Sequence, residues 1–160
     1  MGEPLRGAIA LPDGTLIRGR GRSQPLPEGP QPEFGLYPGK SPDRTLRLPG
    51  RPRWRPVWPA EWVDWPDFGT PRDDAAAAAA IEHAYLRAKA GHRVEVACGG
   101  GTGRTGTVLA CMAILARHPA ADALTWTRQN YRPRAVETAG QRRWIQWFAA
   151  HRDAPSAPTV

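Results

Sequence analysis

Hydrophobic and polar positions alternate with two different periods, and the change falls near residue 72. Before it, short apolar or alternating runs at residues 8–11, 15–18, 34–37 and 53–57 predict strands, with turns at Pro12-Asp13-Gly14 and Pro38-Gly39. Of the 18 prolines, 14 lie at or before Pro71, which argues against long helices there. Residues 19–32 predict an irregular loop. After Pro71 the spacing becomes helical. Asp73 is placed to cap a helix running through the alanines to Ala90, and Gly91 to end it. Residues 92–97 form a short β-branched run that predicts a buried strand. A second helix is expected over 102–117, a third from Pro119 to about Tyr131, and a fourth capped by Thr138. In the fourth, Trp144, Trp147 and Phe148 share a face. Strands early, helices late and a strand–loop–helix unit between them predict an α/β domain with a central mixed sheet flanked by helices.

At 160 residues the chain suits one domain, expected over 1–153. Residues 1–55 form its Pro/Gly-rich strand and loop region, 56–153 carry the candidate chemistry, and 154–160 are a disordered tail. The net charge is +7, yet no basic run resembles a nucleic-acid arm, so no nucleic-acid partner is expected. Two cysteines make no disulfide framework, which points to a reducing compartment. The first residues lack the apolar core of a signal peptide, and no apolar stretch has the length to cross a bilayer. A cytoplasmic monomer without membrane contact is the expectation. No His/Cys/Asp cluster suggests a metal, and no cofactor is expected.

The strand at 92–97 runs into Cys98-Gly99-Gly100-Gly101-Thr102-Gly103-Arg104-Thr105, which opens a helix. At that place the unpaired N–H groups and the positive dipole end of the helix face outward and suit a phosphate. The same end lowers the pKa of a cysteine held there. Arg104 can grip two phosphate oxygens, and Thr105 can donate a hydrogen bond to the sulfur. A Walker-type loop fits poorly, since Cys98 and Arg104 stand where Gly and Lys are required. Gly101-x-Gly103-x-x-Gly106 meets the dinucleotide fingerprint, but no second strand ending in an acid follows. A tight structural turn with a buried cysteine remains a third reading. Upstream, Trp65-Pro66-Asp67-Phe68-Gly69 sets a carboxyl between a stiffening Pro and a Gly hinge, with Asp64 and Asp73 as weaker neighbours. Downstream, Glu137-Thr138-Ala139-Gly140-Gln141 opens a helix, and Thr138 with Gln141 has capping-box spacing.

Together these motifs resemble the protein tyrosine phosphatase superfamily, roughly over residues 60–150. Cys98-x5-Arg104-Thr105 resembles its signature loop, in the fuller form that adds Gly101, Gly103 and Gly106. Trp65-Pro66-Asp67 resembles its Trp-Pro-Asp loop, and Glu137 to Gln141 its glutamine loop. The resemblance implies a small cysteine-dependent phosphatase of the tyrosine or dual-specificity kind, acting on phosphorylated protein or peptide through a phosphocysteine intermediate. It implies Cys98 as nucleophile and Asp67 as general acid. Arg104 and the Gly99–Arg104 amides would hold the phosphate, and Gln141 or Glu137 would handle the water. The family's usual His before the cysteine is Ala97 here, which implies a thiol pKa less lowered than usual. It also opens the alternative of a catalytically impaired phosphate-binding module. Cys111, deeper in the helix, reads as core packing.

Overall fold

The computed structural model describes residues 2–42 and 54–152. Its five strands are β1 (Ile9–Ala10), β2 (Leu16–Gly21), β3 (Phe34–Pro38), β4 (Ala60–Val63) and β5 (Val94–Cys98). They form one sheet in the order β1-β2-β5-β3-β4. Only the β1–β2 hairpin is antiparallel. The helices are α1 (Asp74–Lys89), α2 (Gly103–Leu115), α3 (Ala123–Asn130) and α4 (Ala139–Arg152). The mixed α/β architecture agrees with the sequence expectation.

Alternation along the strands separates two unlike faces. Ile17, Phe34, Leu36, Val63, Val94 and Val96 join one apolar core with α1, α2 and α4. α1 meets that core with Ala77, Ala80, Ile81, Ala84 and Ala88, small side chains at helical spacing that let it approach the sheet closely. Asp73 caps it, accepting from the Ala76 N–H at 3.0 Å, and Gly91 follows its end at φ +100°. α2 is buried along its whole length. It carries Cys111 in the core, where burial pushes the thiol well above its ordinary range.

The opposite face is ionic and aromatic. Glu95 is fully buried there, with Arg18 Nη2 and Arg20 Nε each 2.7 Å from its Oε1. Arg20 Nη2 and the Tyr37 hydroxyl donate to Oε2 at 2.9 and 2.7 Å. Trp62 lies beside Tyr37, ring centroids 4.9 Å apart, and Trp54 meets Tyr37 edge-on at 5.1 Å.

Three expectations are corrected. β2 continues through Gly19 to Gly21, where a loop was expected. The glycines serve the packing, because a Cβ on Gly19 would lie 2.7 Å from the Tyr131 ring and one on Gly21 2.6 Å from the Gly100 carbonyl oxygen. No strand forms over 54–57; it lies at β4, whose Glu61 and Trp62 hide any apolar alternation, and Arg53 falls outside the described residues. The third helix begins as a 3₁₀ turn at Ala120–Asp122 and becomes α-helical only at Ala123. The 154–160 tail also lies outside the described residues.

Candidate active site

β5 ends at Cys98 and α2 begins at Gly103, so the glycine loop sits at the C-terminal edge of the parallel strands. This is where an α/β sheet presents its ligands. The loop fits because neighbouring residues give way. Gly101 has φ +79°, and a Cβ there would collide with the Gly21 N and lie 2.6 Å from the Arg20 carbonyl carbon. The Tyr131 hydroxyl donates to the Gly101 carbonyl at 2.5 Å, and Arg132 Nη1 donates to the Gly100 carbonyl at 2.8 Å. Burial, opposed by Arg132 and reinforced by Cys98, pushes the Tyr131 phenol up to about 12. The Gly100 and Gly101 carbonyls are thus committed to side chains beyond the loop. Gly101 N donates to Cys98 Sγ at 3.2 Å, while the N–H groups of Gly99, Gly100, Thr102 and Gly103 meet no protein acceptor among the described residues.

Cys98 is buried, and two groups converge on its sulfur. Besides Gly101 N, the Thr105 hydroxyl donates at 3.1 Å and accepts from the Cys98 N–H at 2.9 Å. Arg104 is 8% exposed; its Nη1 donates to the Trp65 carbonyl at 3.1 Å and its Nη2 stands 3.4 Å from Asp67 Oδ1. Its Nε is buried with no partner among the described residues. Buried guanidinium N–H groups are rarely left bare, and a fork in this state is matched to an oxyanion. Ala97 is wholly buried on the ionic face, opposite Arg20 in the β2 register.

Asp67 follows β4 on a loop whose fixed point is Trp65. The Trp65 ring is buried against Trp144, centroids 5.4 Å apart, and its Nε1 donates to the Gly69 carbonyl at 2.7 Å. The ring thus closes the loop across its base and leaves the Asp67 side chain 64% exposed beside Arg104. Phe68, next in the chain, takes φ +61°, a conformation unfavourable for a non-glycine residue. Asp64 lies outside this cluster and pairs with Arg72, while Asp73 is the α1 cap.

Glu137 and Gln141 both reach the loop. A Cβ on Gly103 would collide with Glu137 Oε1 and lie 3.2 Å from both side-chain ends of Gln141. The two residues differ in their commitments. Gln141 is fully buried: Oε1 accepts from Glu137 N at 2.8 Å and Thr138 N at 3.3 Å, and Nε2 donates to the Gly69 carbonyl at 3.2 Å. Gln141 N donates to Thr138 Oγ1 at 3.1 Å, completing the capping box. The Glu137 side chain is exposed, and Val136 before it is buried at φ +67°. Cys98, Arg104, Thr105, Asp67, Glu137, Gln141 and the glycine loop therefore lie in one place. Sequence reasoning missed Trp65 as anchor, Tyr131 as brace and Arg22 as neighbour. Only the alternation Arg18-Gly19-Arg20-Gly21-Arg22 could have signalled the last.

A thiol and a guanidinium on a glycine loop, between a parallel strand and a helix N-terminus, define an α/β protein with a Cys-x5-Arg loop. The sequence model of the protein-tyrosine phosphatase family matches residues 43–147, and the chain belongs to that family. The structure is similar to that of Tk-PTP in its active form over 91% of this chain and 97% of that one, with 20% identity and a TM-score of 0.62. Human DUSP28 matches over 78% of this chain and 81% of its own, at 20% identity and a TM-score of 0.56. The human tyrosine phosphatase-like serine/threonine/tyrosine-interacting protein covers 74% and 77%, at 13% identity and a TM-score of 0.57. At these identities the likeness is one of fold. No curated protein matches the sequence. No helix among the described residues is long and apolar enough to cross a membrane.

Proposed function

We propose that the chain hydrolyses phosphomonoesters of protein or peptide, phosphotyrosine first, through a phosphocysteine intermediate. The bare, buried Nε of Arg104, on the loop that begins at Cys98, is the observation that carries this reading. In the proposed first step Cys98 Sγ attacks phosphorus in line, the S–P bond forms and the P–O bond to the alcohol breaks. Asp67 gives its proton to the departing oxygen. Arg104 offers Nε together with the Nη2 that leans on Asp67, and the loop amides without a protein acceptor take the remaining oxygens. Preorganised donors of this kind stabilise the spread charge of the transition state.

In the second step water attacks phosphorus and the S–P bond breaks. Thr105 donates to the sulfur as it leaves, and the water's proton passes to Asp67. Glu137 is the residue we assign to orient that water, because the Gln141 oxygen already serves two backbone N–H groups and its amide is tied to Gly69. Gln141 is then a positioning residue that joins the Asp67 loop to the Glu137 segment. Residues 1–153 are proposed to work as one domain, since β2 and β3 flank the strand that ends at Cys98.

The test is steady-state hydrolysis of aryl phosphates by the wild type, Cys98→Ser and Asp67→Asn. Cys98→Ser is expected to lose turnover while still binding phosphate. Asp67→Asn is expected to fall most on substrates whose leaving group has a high pKa, because only these need its proton. Turnover by Cys98→Ser, or an equal Asp67→Asn loss on every leaving group, refutes the scheme. Phosphate binding without any wild-type turnover would establish the binding-module alternative that Ala97 raises.

A further inference from the structure

A second guanidinium lies beside the first. Arg22 leaves β2 at the same sheet edge, and its backbone N–H donates to the Cys98 carbonyl at 2.8 Å, which fixes it against the base of the loop. Its guanidinium carbon lies over the Trp62 ring, 5.1 Å from the centroid. Among the described residues two buried side-chain nitrogen or oxygen atoms have no hydrogen-bond partner, and they are Nε of Arg104 and Nε of Arg22. A Cβ built on Gly39 would lie 3.0 Å from Arg22 Nη2 and 3.5 Å from Arg104 Nη1, so the two cations converge on one point.

No described carboxylate answers Arg22. Glu95 is taken by Arg18, Arg20 and Tyr37, and Asp67 leans on Arg104. Burial first and then the Arg104 charge push the Arg22 pKa down, while Cys98 pulls it up. Two like charges held together and partly out of water are costly unless an anion joins them. The loop amides and Arg104 already supply donors for all three terminal oxygens of one phosphate. The Arg22 charge is surplus to that need.

We propose that Arg22 is a specificity-determining residue that holds a second anionic group, a phosphate or a carboxylate, next to the phosphoester bound in the Cys98 loop. This rests on the reading of that loop as a phosphate site. The selected substrates are phosphoesters flanked by negative charge. The Trp62 ring keeps the guanidinium in position from behind, and its planar fork suits either oxyanion.

The test compares orthophosphate and pyrophosphate as calorimetric probes of full-length Cys98→Ser, alone and combined with Arg22→Met or Arg22→Lys. The proposal expects pyrophosphate to bind about tenfold tighter than orthophosphate when Arg22 is present. The preference should vanish in Arg22→Met and survive in part in Arg22→Lys, which keeps the charge without the fork. Melting curves identify any variant that has lost its fold, and Arg22→Lys then carries the comparison. On the Cys98 enzyme, peptides with Asp, Asn or phosphoserine beside phosphotyrosine distinguish a carboxylate from a phosphate source. Arg22→Met should raise KM for the charged peptides and leave the KM for the Asn peptide within about twofold. A pyrophosphate preference that persists in a folded Arg22→Met overturns the proposal while the phosphate loop stands. Failure of orthophosphate itself to bind overturns both.

Discussion

Glu95→Gln tests whether the buried ionic layer on the face of the sheet opposite the apolar core holds the domain together. The carboxylate is fully buried and receives Arg18 Nε and Nη2, Arg20 Nε and Nη2, and the Tyr37 hydroxyl. An amide of the same shape keeps one acceptor oxygen and turns an NH2 group toward a guanidinium donor. At least one charge-assisted contact is lost and two buried cations lose their counter-charge. Breaking a buried pair by removing one partner costs roughly 3–5 kcal/mol. For a domain of this size that lowers Tm by about 10 °C. Urea denaturation followed by tryptophan fluorescence measures it. A companion variant carrying Arg18→Met, Arg20→Met and Glu95→Leu removes the charges together and is expected within about 2 kcal/mol of wild type. The pH dependence has a definite sign. Burial pushes the Glu95 carboxyl up, but hydrogen bonds from Arg20, Arg18 and Tyr37 outweigh it and leave the pKa below the ordinary value. The stabilisation is therefore present above the unfolded carboxyl's pKa of about 4.3 and is lost as pH falls through the lowered folded value. Glu95→Gln lacks that acid-side loss. A Glu95→Gln stability within about 0.5 kcal/mol of wild type would refute the reasoning.

Gly101→Ala places a methyl group against the Gly21 nitrogen at positive φ, and is expected to cost more than about 1 kcal/mol and to abolish turnover. A stable, active Gly101→Ala would contradict the close contact of loop and β2. Glu137→Gln should leave Tm unchanged and slow phosphoenzyme hydrolysis in single-turnover assays. Gln141→Ala should lower stability by about 1 kcal/mol through the lost cap; the reverse pattern would exchange their roles. Alkaline titration followed by tyrosinate absorbance should show no transition near 10 in the native protein. Burial, with Asp13 on Tyr85 and Cys98 on Tyr131, pushes both phenols up to about 12, and burial with Glu95 raises Tyr37 further. Raised folded values mean that this stabilisation is complete below the unfolded phenol's pKa of about 10 and is lost as pH rises beyond it.

The strand–loop–helix unit was legible because each of its signals is local. A β-branched run, glycines and an apolar helix follow one another without distant help. The caps Asp73 and Thr138 were legible for the same reason. β2 was cut short because Gly19 and Gly21 weaken a strand by propensity, yet here they are the residues that admit Tyr131 and the glycine loop after Cys98. β4 was displaced because Trp62 faces the aromatic layer and Val63 the core, a partition visible only once β3 lies alongside. The partners of Glu95 come from β2 and β3 on either side, so sheet order decides them and sequence spacing does not. Arg22 escaped notice on the same ground: its neighbours are Cys98, Gly39 and Trp62 on three other strands or strand ends.

The central claim is that Cys98 forms a covalent phosphoenzyme. Rapid acid quenching of the enzyme with an aryl phosphate labelled in its phosphoryl group, followed by peptide mapping, tests it most directly. The account predicts label on the peptide carrying Cys98, increased when Glu137→Gln slows the second step and absent in Cys98→Ser. Turnover with no label at Cys98, or label that persists in Cys98→Ser, would contradict it.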